Sequence, residues 1–563
     1  MAKKKKKAAT GTTKKPAARR RPKVRRAPSA PRPDGAARRP APPGDEPVSE
    51  TPHAQSKSSF AVVGIGASAG GLDAFKRFFS AMPGKPGIAF VLIQHLDPTH
   101  ASLTTELLAR HTQMTMVEAT DDLQIEPDHV YVIPPNHYLA LSGEKLRLSD
   151  PPEHRGMRLP VDFFFRSLAD DRQERAIGIL LSGTGSDGTN GVREIKAAGG
   201  MVMVQEPETT EWEGMPRSAI ATGVVDYVLP VEQMPKVLNR YVGHWYVKGG
   251  PPAPATEKAP DHLTTIIGIL RSRAKYDFGG YKHGTLIRRI QRRMGLNHIS
   301  EMKEYIEYLR QSQGEVAALF KDMLISVTSF FREPRAWEAL EETVIVPLVA
   351  AHGPDKPIRV WSAGCATGEE AYSLAMLILS HAQKQDKVFD IHVLASDIDH
   401  DALAFARAGV YPESIAADVP RHLLRRYLIH GEHTYRVNKE VRDLVLFAEQ
   451  NVISDPPFSK LDLISCRNML IYLDADVQKR ILSLFHFALN ERGCLFLGSS
   501  ETVNQQSSLF EPVSRKLRLY RRLGGRKGGP VGLLHYASDQ VHPKLPALAE
   551  PPTRRLTTLA QEI

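Results

Sequence analysis

Two stretches of this chain repeat one pattern, an apolar run followed by a glycine-rich turn and an amphipathic helix: AVVGIGASAGGLDAF at 61–75 and IRVWSAGCATGEEAYSLAMLIL at 358–379. Each reads as the opening strand, turn and helix of a parallel sheet. The spacing between them exceeds an ordinary domain, so the chain needs two sheets rather than one. Further apolar runs alternate with helical patterns around each stretch. They predict strands at 60–65, 88–93, 130–133, 176–181 and 200–204, and again at 358–362, 389–395, 445–448, 461–465 and 494–498. Between the sets, 247–261 is rich in Pro, Gly and Ala and reads as a linker. The stretch 262–348 reads as helical, with basic amphipathic segments such as 286–294.

The formal charge of +11 suggests a nucleic-acid partner until its location is considered. Residues 1–58 hold 17 Lys and Arg against 4 Asp and Glu, a net +13 that leaves −2 for the rest. This basic segment has almost no large apolar residue, so disorder is expected there, with binding to anionic surfaces by charge alone. The near-neutral remainder predicts no specific nucleic-acid surface. No window reaches the roughly 18 apolar residues of a membrane span, nor is there a secretory core, so a cytoplasmic location is expected rather than an integral membrane protein. The three cysteines, Cys365, Cys466 and Cys494, have no metal-type spacing, and neither disulfide nor metal is predicted.

At the first turn, Gly64, Gly66 and Gly70 admit a dinucleotide reading, while Ser68 at a helix start admits a nucleophile reading. The next strand ends in His95, with Asp97 two residues on, which leaves both open. A third strand, AIGILLSG, runs into Thr184-Gly185-Ser186-Asp187-Gly188 and brings Asp187 to the same sheet edge. Hydroxyl, imidazole and carboxylate at three strand ends are the parts that acyl transfer requires.

GASAGG, Gln94-His95, IPPNH at 133–137, VDFFFRSLA at 161–169, LLSGTGSDG at 180–188 and GMPRSAI at 214–220 occur in that order. The segment 60–246 thereby resembles the catalytic domain of the chemotaxis methylesterase family, CheB. The resemblance implies Ser68 as nucleophile, His95 as general base and Asp187 as orienting carboxylate. It puts Thr184, where the family usually has Met, in a loop whose backbone helps form the oxyanion hole. His100, His111 and His137 read as structural or surface residues. Members of that family also carry a receiver domain, which is not expected here, nor is control by aspartyl phosphorylation.

At the second turn, Gly364 and Gly368 bracket a loop suited to a nucleoside, and the next strand ends in Asp397, with Asp399 beyond it, either able to accept ribose hydroxyls. Asp455-Pro456-Pro457-Phe458 resembles a motif of nucleic-acid methyltransferases but precedes the strand at 461–465 instead of following it, so that reading is set aside.

VTSFFREP at 327–334, WSAGCATGEE at 361–370, ASDID at 395–399, FAEQNV at 447–452, SCRNMLIYL at 465–473 and GSSE at 498–501 together resemble the chemotaxis receptor methyltransferase family, CheR. The resemblance implies S-adenosylmethionine as cofactor, contacts from Thr328, Arg332, Glu370, Asp397, Asn451, Val452, Arg467 and Asn468, and Tyr472 near the transferred methyl. Ser326 stands where the family has Asn. The stretch 429–435, where peptide-docking members carry a β insert, is several residues short, and docking on such a peptide is not expected.

The expected fold is α/β in two domains, an N-terminal doubly wound parallel-sheet domain and a C-terminal Rossmann-like domain preceded by a small helical subdomain. Boundaries are expected as a tail at 1–58, a first domain at 59–246, a linker at 247–261, a helical subdomain at 262–348, a methyltransferase domain at 349–523 and a C-terminal tail at 524–563. The implied function is bifunctional, methylation of protein glutamates and hydrolysis of the resulting esters, with chemoreceptor-like proteins as substrates. A scaffold with one or both sites inactive is the alternative.

Overall fold

The computed structural model describes residues 60–95, 104–151, 158–248, 259–324, 327–353, 356–385 and 390–524. The basic segment 1–58, the tail beyond 524, His100 and Ser326 lie outside them. Ten strands fold from the first part: β1 (Ala61–Ala67), β2 (Ile88–Gln94), β3 (Thr115–Glu118), β4 (Leu123–Gln124), β5 (His129–Val132), β6 (Tyr138–Ser142), β7 (Lys145–Ser149), β8 (Ala176–Leu180), β9 (Met201–Gln205) and β10 (Tyr227–Leu229). Seven form a parallel sheet in the order β10-β9-β8-β1-β2-β5-β3, and β4, β7 and β6 form a small antiparallel one.

Strand periodicity of two sorts β1 onto two cores. Val63, Ile65 and Ala67 face Phe75, Phe78 and Phe79 of α1 (Gly71–Ser80). The other face meets α2 (Pro160–Arg172), where Val161, Phe164, Phe165 and Leu168 pack. On that face Gly64 and Gly66 leave the helix room. A Cβ at Gly64 would stand 2.9 Å from Phe164 Cε1, and one at Gly66 only 2.4 Å from Val161 Cγ1. These two glycines therefore serve helix–sheet packing and not approach to a phosphate. Gly66→Ala should cost about 1–3 kcal/mol through overpacking, measurable as a lowered denaturation midpoint.

The remaining strands are β11 (Ile358–Ala363), β12 (Ile391–Asp397), β13 (Val410–Pro412), β14 (Leu428–His430), β15 (Thr434–Val437), β16 (Val445–Glu449), β17 (Leu461–Cys466), β18 (Leu489–Leu497), β19 (Phe510–Ser514) and β20 (Leu519–Arg522). The second sheet runs β16-β12-β11-β17-β18-β20-β19, parallel through β18 and antiparallel at β20 and β19. The insert between β12 and β16 is present as a three-stranded antiparallel sheet with strands of three or four residues. Edge strands β3, β10 and β19, and β20 beside the last, were not expected. Their residues are few and only partly buried at β3 and β10, so apolar alternation hardly registers.

Between the sheets, α3 (Thr189–Ala198) belongs to the first, and α4 (Ala259–Ala274), α5 (His283–Leu296), α6 (Met302–Gln311) and α7 (Gln313–Met323) pack around Leu270, Phe278, Ile290, Tyr305 and Leu319. Because α4 begins at Ala259, the last positions of the expected linker are helical. A further helical run from Pro334 to Ala351 crosses position 348 and adds Trp337, Leu340 and Val349 to the core of the second sheet. No helix among the described residues is long and apolar enough to cross a membrane.

The two parts share a buried ionic ring. Lys196 Nζ of α3 lies 2.8 Å from Asp226 Oδ1 and 2.7 Å from Asp322 Oδ1, while Arg292 of α5 reaches Asp226 Oδ2 at 2.5 Å and also pairs with Asp322. Arg292 donates twice more to the Gly200 carbonyl. Elsewhere Arg193 of α3 approaches Glu369 at 3.4 Å, and the Ser414 N–H donates to Ser186 Oγ at 3.0 Å.

Candidate active sites

The first site forms where β1, β2 and β8 end. The register pairs Ala67 with Gln94, so Ser68 and His95 are the next residues on neighbouring strands. The Ser68 N–H donates to Ser182 O at 2.9 Å, and Gly70, at φ 73°, starts α1 two residues later. A Cβ at Gly183 would lie 2.9 Å from Ser68 Cβ, so only glycine lets this loop approach the serine. His95 Nε2 lies 2.7 Å from Asp187 Oδ2, which leaves Nδ1 as the ring nitrogen available to a hydroxyl.

Asp187 is buried and accepts from three backbone N–H groups. Oδ2 receives Val161, and Oδ1 receives Asp162 and Gly188, each at 2.9 Å. The first two open α2, whose dipole favours an anion there. Next to it, burial and the Asp187 charge push the Asp162 carboxyl well above its ordinary value, and its Oδ1 accepts from Gly191 N–H at 2.6 Å. The two carboxyls therefore sit side by side at the start of α2, Asp187 facing His95 and Asp162 facing Gly191. His111 meets Ser80 Oγ at 3.2 Å and His137 meets Pro135 O at 2.8 Å.

The second site is a cleft of about 1010 Å³, a volume that takes in open solvent at its mouth. Thr328, Arg332, Glu370, Asp397, Asn451 and Val452 line it, as do Arg467, Asn468 and Tyr472. Gly364 and Gly368 bracket the first loop with φ of 74° and 89°. Asp397 ends β12, where burial raises its carboxyl against three backbone N–H donors: Ala366 to Oδ2 at 2.8 Å, Ile398 and Asp399 to Oδ1 at 2.7 and 3.0 Å. Oδ2 keeps a lone pair for a hydroxyl donor. Asp399 caps α8 (His400–Ala408) through the N–H groups of Asp401 and Ala402, which separates the two aspartates that the sequence left open.

Arg467 is bound into the wall. It reaches Glu333 at 2.8 Å, lies 3.8 Å from Glu370 and stacks 4.6 Å above the Phe496 ring. Arg332 donates to Val327 O at 2.9 Å. Burial raises the Tyr472 hydroxyl. Asp455 accepts from the Asn451 N–H at 2.8 Å, so the Asp-Pro-Pro-Phe segment shapes a loop. A cleft with two carboxylates, a backbone turn in left-handed geometry and apolar walls from Val452 and Met469 fits a nucleoside bearing a cationic tail.

Sequence reasoning did not single out several residues here. Tyr276 and Tyr281 come from the loop between α4 and α5 and line the cleft, their hydroxyls 3.2 Å apart. Glu501 accepts from Asn468 and Gly498 N–H through Oε2 (3.0 and 2.7 Å) and from Leu470 N–H through Oε1 (2.7 Å), holding the Arg467–Asn468 turn. The motifs containing Glu501 and Asp162 were recognised, and a search within them for acids without a surface role is the signal that finds both.

Comparison with known proteins gives three consecutive family matches: "CheB methylesterase" over 63–238, "CheR methyltransferase, all-alpha domain" over 261–324 and "CheR methyltransferase, SAM binding domain" over 326–518. S-adenosylmethionine is thus the cofactor of the domain at 326–518, which contains most of the cleft's lining. A relative described as "Uncharacterized 104.1 kDa protein in hypE 3'region" of Rhodobacter capsulatus is 39% identical across 78% of this chain and 48% of its own length, so the chain spans about half of it. "Chemotaxis protein methyltransferase 2" of Vibrio cholerae is 34% identical over 40% of the chain and 79% of that protein. A "Putative protein-glutamate methylesterase/protein-glutamine glutaminase" of Leptospira interrogans is 33% identical over 32% of the chain and 95% of that protein.

Proposed function

We propose that this chain, which belongs to the CheB methylesterase family through its first part and to the CheR methyltransferase family through its second, both methylates glutamate side chains of proteins and removes those methyl groups. The observation that carries the hydrolytic half is the joining of His95 to Asp187 beside Ser68. Ser68 Oγ attacks the ester carbonyl while His95 Nδ1 takes its proton, and Asp187 steadies the imidazolium. The same proton then passes to the departing methanol. Water, activated by His95, releases the glutamate and restores Ser68. Backbone amides at the start of α1 and in the Thr184–Gly185 loop hold the oxyanion.

In the second half, bound S-adenosylmethionine supplies a methyl group made electrophilic by its sulfonium. Asp397 would accept a ribose hydroxyl, Glu370 would face the cationic tail, and Thr328, Asn451, Val452 and Asn468 would frame the nucleoside. Arg467 braces that wall, and Tyr472 would lie toward the transferred methyl. Arg332 positions the incoming glutamate. The glutamate is already ionised at neutral pH, so no general base is needed and positioning supplies the rate. The substrates are methyl-accepting chemoreceptors or related signalling proteins, met in the cytoplasm. Similarity to a chemotaxis protein methyltransferase and to a protein-glutamate methylesterase supports this choice.

The test is transfer of label from methyl-tritiated S-adenosylmethionine to glutamates of a receptor preparation, with label later recovered as methanol. Protein that never acquires alkali-labile label would reject the transferase half. Asp397→Ala should weaken cofactor binding by about 10- to 100-fold, the worth of a charged hydrogen bond, by calorimetry. Ester hydrolysis should stay unchanged, because Asp397 makes none of the contacts that join the two parts. Loss of both activities in a folded variant would contradict this.

A further inference from the structure

A large apolar side chain kept at a surface beside a reactive group points to an interaction. Trp212 is 41% exposed and Phe163 37% exposed; the first lies beside Gly70, two residues from Ser68, and the second follows Asp162, whose N–H holds Asp187. The Trp212 carbonyl accepts from Gly183 N–H at 2.9 Å and its N–H donates to Thr210 Oγ1 at 3.2 Å. That threonine hydroxyl donates to Ser182 Oγ at 2.6 Å, which in turn donates to the Ala69 carbonyl at 2.8 Å. A chain of hydroxyls thus laces the tryptophan loop to the residue next to Ser68. The indole occupies space left by Gly70, where a Cβ would fall 3.0 Å from Trp212 Cδ1. The ring is therefore held within two residues of the nucleophile while much of it stays open. On the Asp187 side, Phe163 stacks on Tyr138 at 5.0 Å and 17°, one residue after the Asp162 N–H that holds Asp187.

We infer that Trp212 is a specificity-determining residue for the hydrolytic site, taking up apolar side chains that flank the esterified glutamate on a polypeptide, with Phe163 completing the rim. This rests on the hydrolase reading above. A polypeptide is the occupant because the hydrolase reading places the ester on a protein side chain, and a rigid indole held two residues from Ser68 offers its flanking residues contact area at little entropic cost. A small free ester reaches Ser68 without it.

Three probes test the inference: N-acetyl-glutamate γ-methyl ester, and two helical peptides that carry one glutamate γ-methyl ester flanked by leucines or by serines. Wild type should favour the leucine peptide. Trp212→Ala should lower kcat/KM on that peptide about tenfold, chiefly through KM, leave the small ester within about twofold, and be rescued largely by Trp212→Phe. An equal loss on the small ester, or no leucine preference in wild type, would overturn it. No hydrolysis of the small ester by wild type, or undiminished hydrolysis by Ser68→Ala, would overturn the hydrolase reading and this inference with it.

Discussion

Ser68→Ala should lower the turnover of glutamyl methyl esters by about 10³- to 10⁶-fold, the range seen when a serine hydrolase loses its nucleophile. The rest of the site is independent of that hydroxyl. Asp187 is held by Val161, Asp162 and Gly188, and His95 is held by Asp187. The variant should therefore fold as wild type and keep cofactor binding, since Ser68 lies at the edge of the first sheet. In the same reaction mixture, methylated protein should accumulate because only the reverse step is lost. Methanol release within about tenfold of wild type would remove Ser68 from the mechanism. Asp187→Asn is a useful companion. An asparagine NH₂ would face the N–H donors that the carboxylate now accepts, so imidazole orientation is lost together with the charge.

Arg292→Leu should destabilise the chain by about 3–5 kcal/mol, because it leaves Asp226 and Asp322 facing a single Lys196 in a buried site. Arg292 is fully buried, and both carboxylates are nearly so. Burial alone pushes the Asp322 carboxyl up, and Arg292 with Lys196 more than reverses it to well below the ordinary range. The sign of the pH dependence follows: a depressed carboxyl contributes stability above its unfolded-state value and loses it as pH falls through the folded one. The gap between wild type and Asp322→Asn should accordingly be full near neutrality and narrow in acid. Chemical denaturation of the full chain measures both effects. Arg292→Leu combined with Asp322→Asn restores charge balance and should lose less than the sum of the singles. Additive losses would show that the ring does not act as a unit.

That ring also bears on how far the two activities are separable. Two domains with a linker at 247–261 were the expectation; α5 sits beside α3, Arg289 donating to the carbonyls of Lys196 and Ala197 and Arg292 to that of Gly200 just beyond it. The Ser414 N–H reaches the loop immediately before Asp187. None of these residues carries a motif that single-sequence reading recognises. A buried ion pair looks like any surface charge until its partner, here up to 126 positions away between Lys196 and Asp322, is brought to it.

The sequence by itself determined the two opening strand–turn–helix units, most of the central strands, and the order of motifs around Ser68, His95, Asp187, Glu370 and Asp397, because apolar periodicity and glycine turns are local properties. It left Gly64 and Gly66 ambiguous between phosphate approach and packing, and Asp397 ambiguous with Asp399. Tertiary structure decided both, by laying Phe164 and Val161 across the glycines and by turning Asp399 into a helix cap. It alone placed Glu501 under the Arg467 turn and joined the two parts through the ring at Arg292. Such pairings depend on distance in space, which the spacing along the chain does not encode.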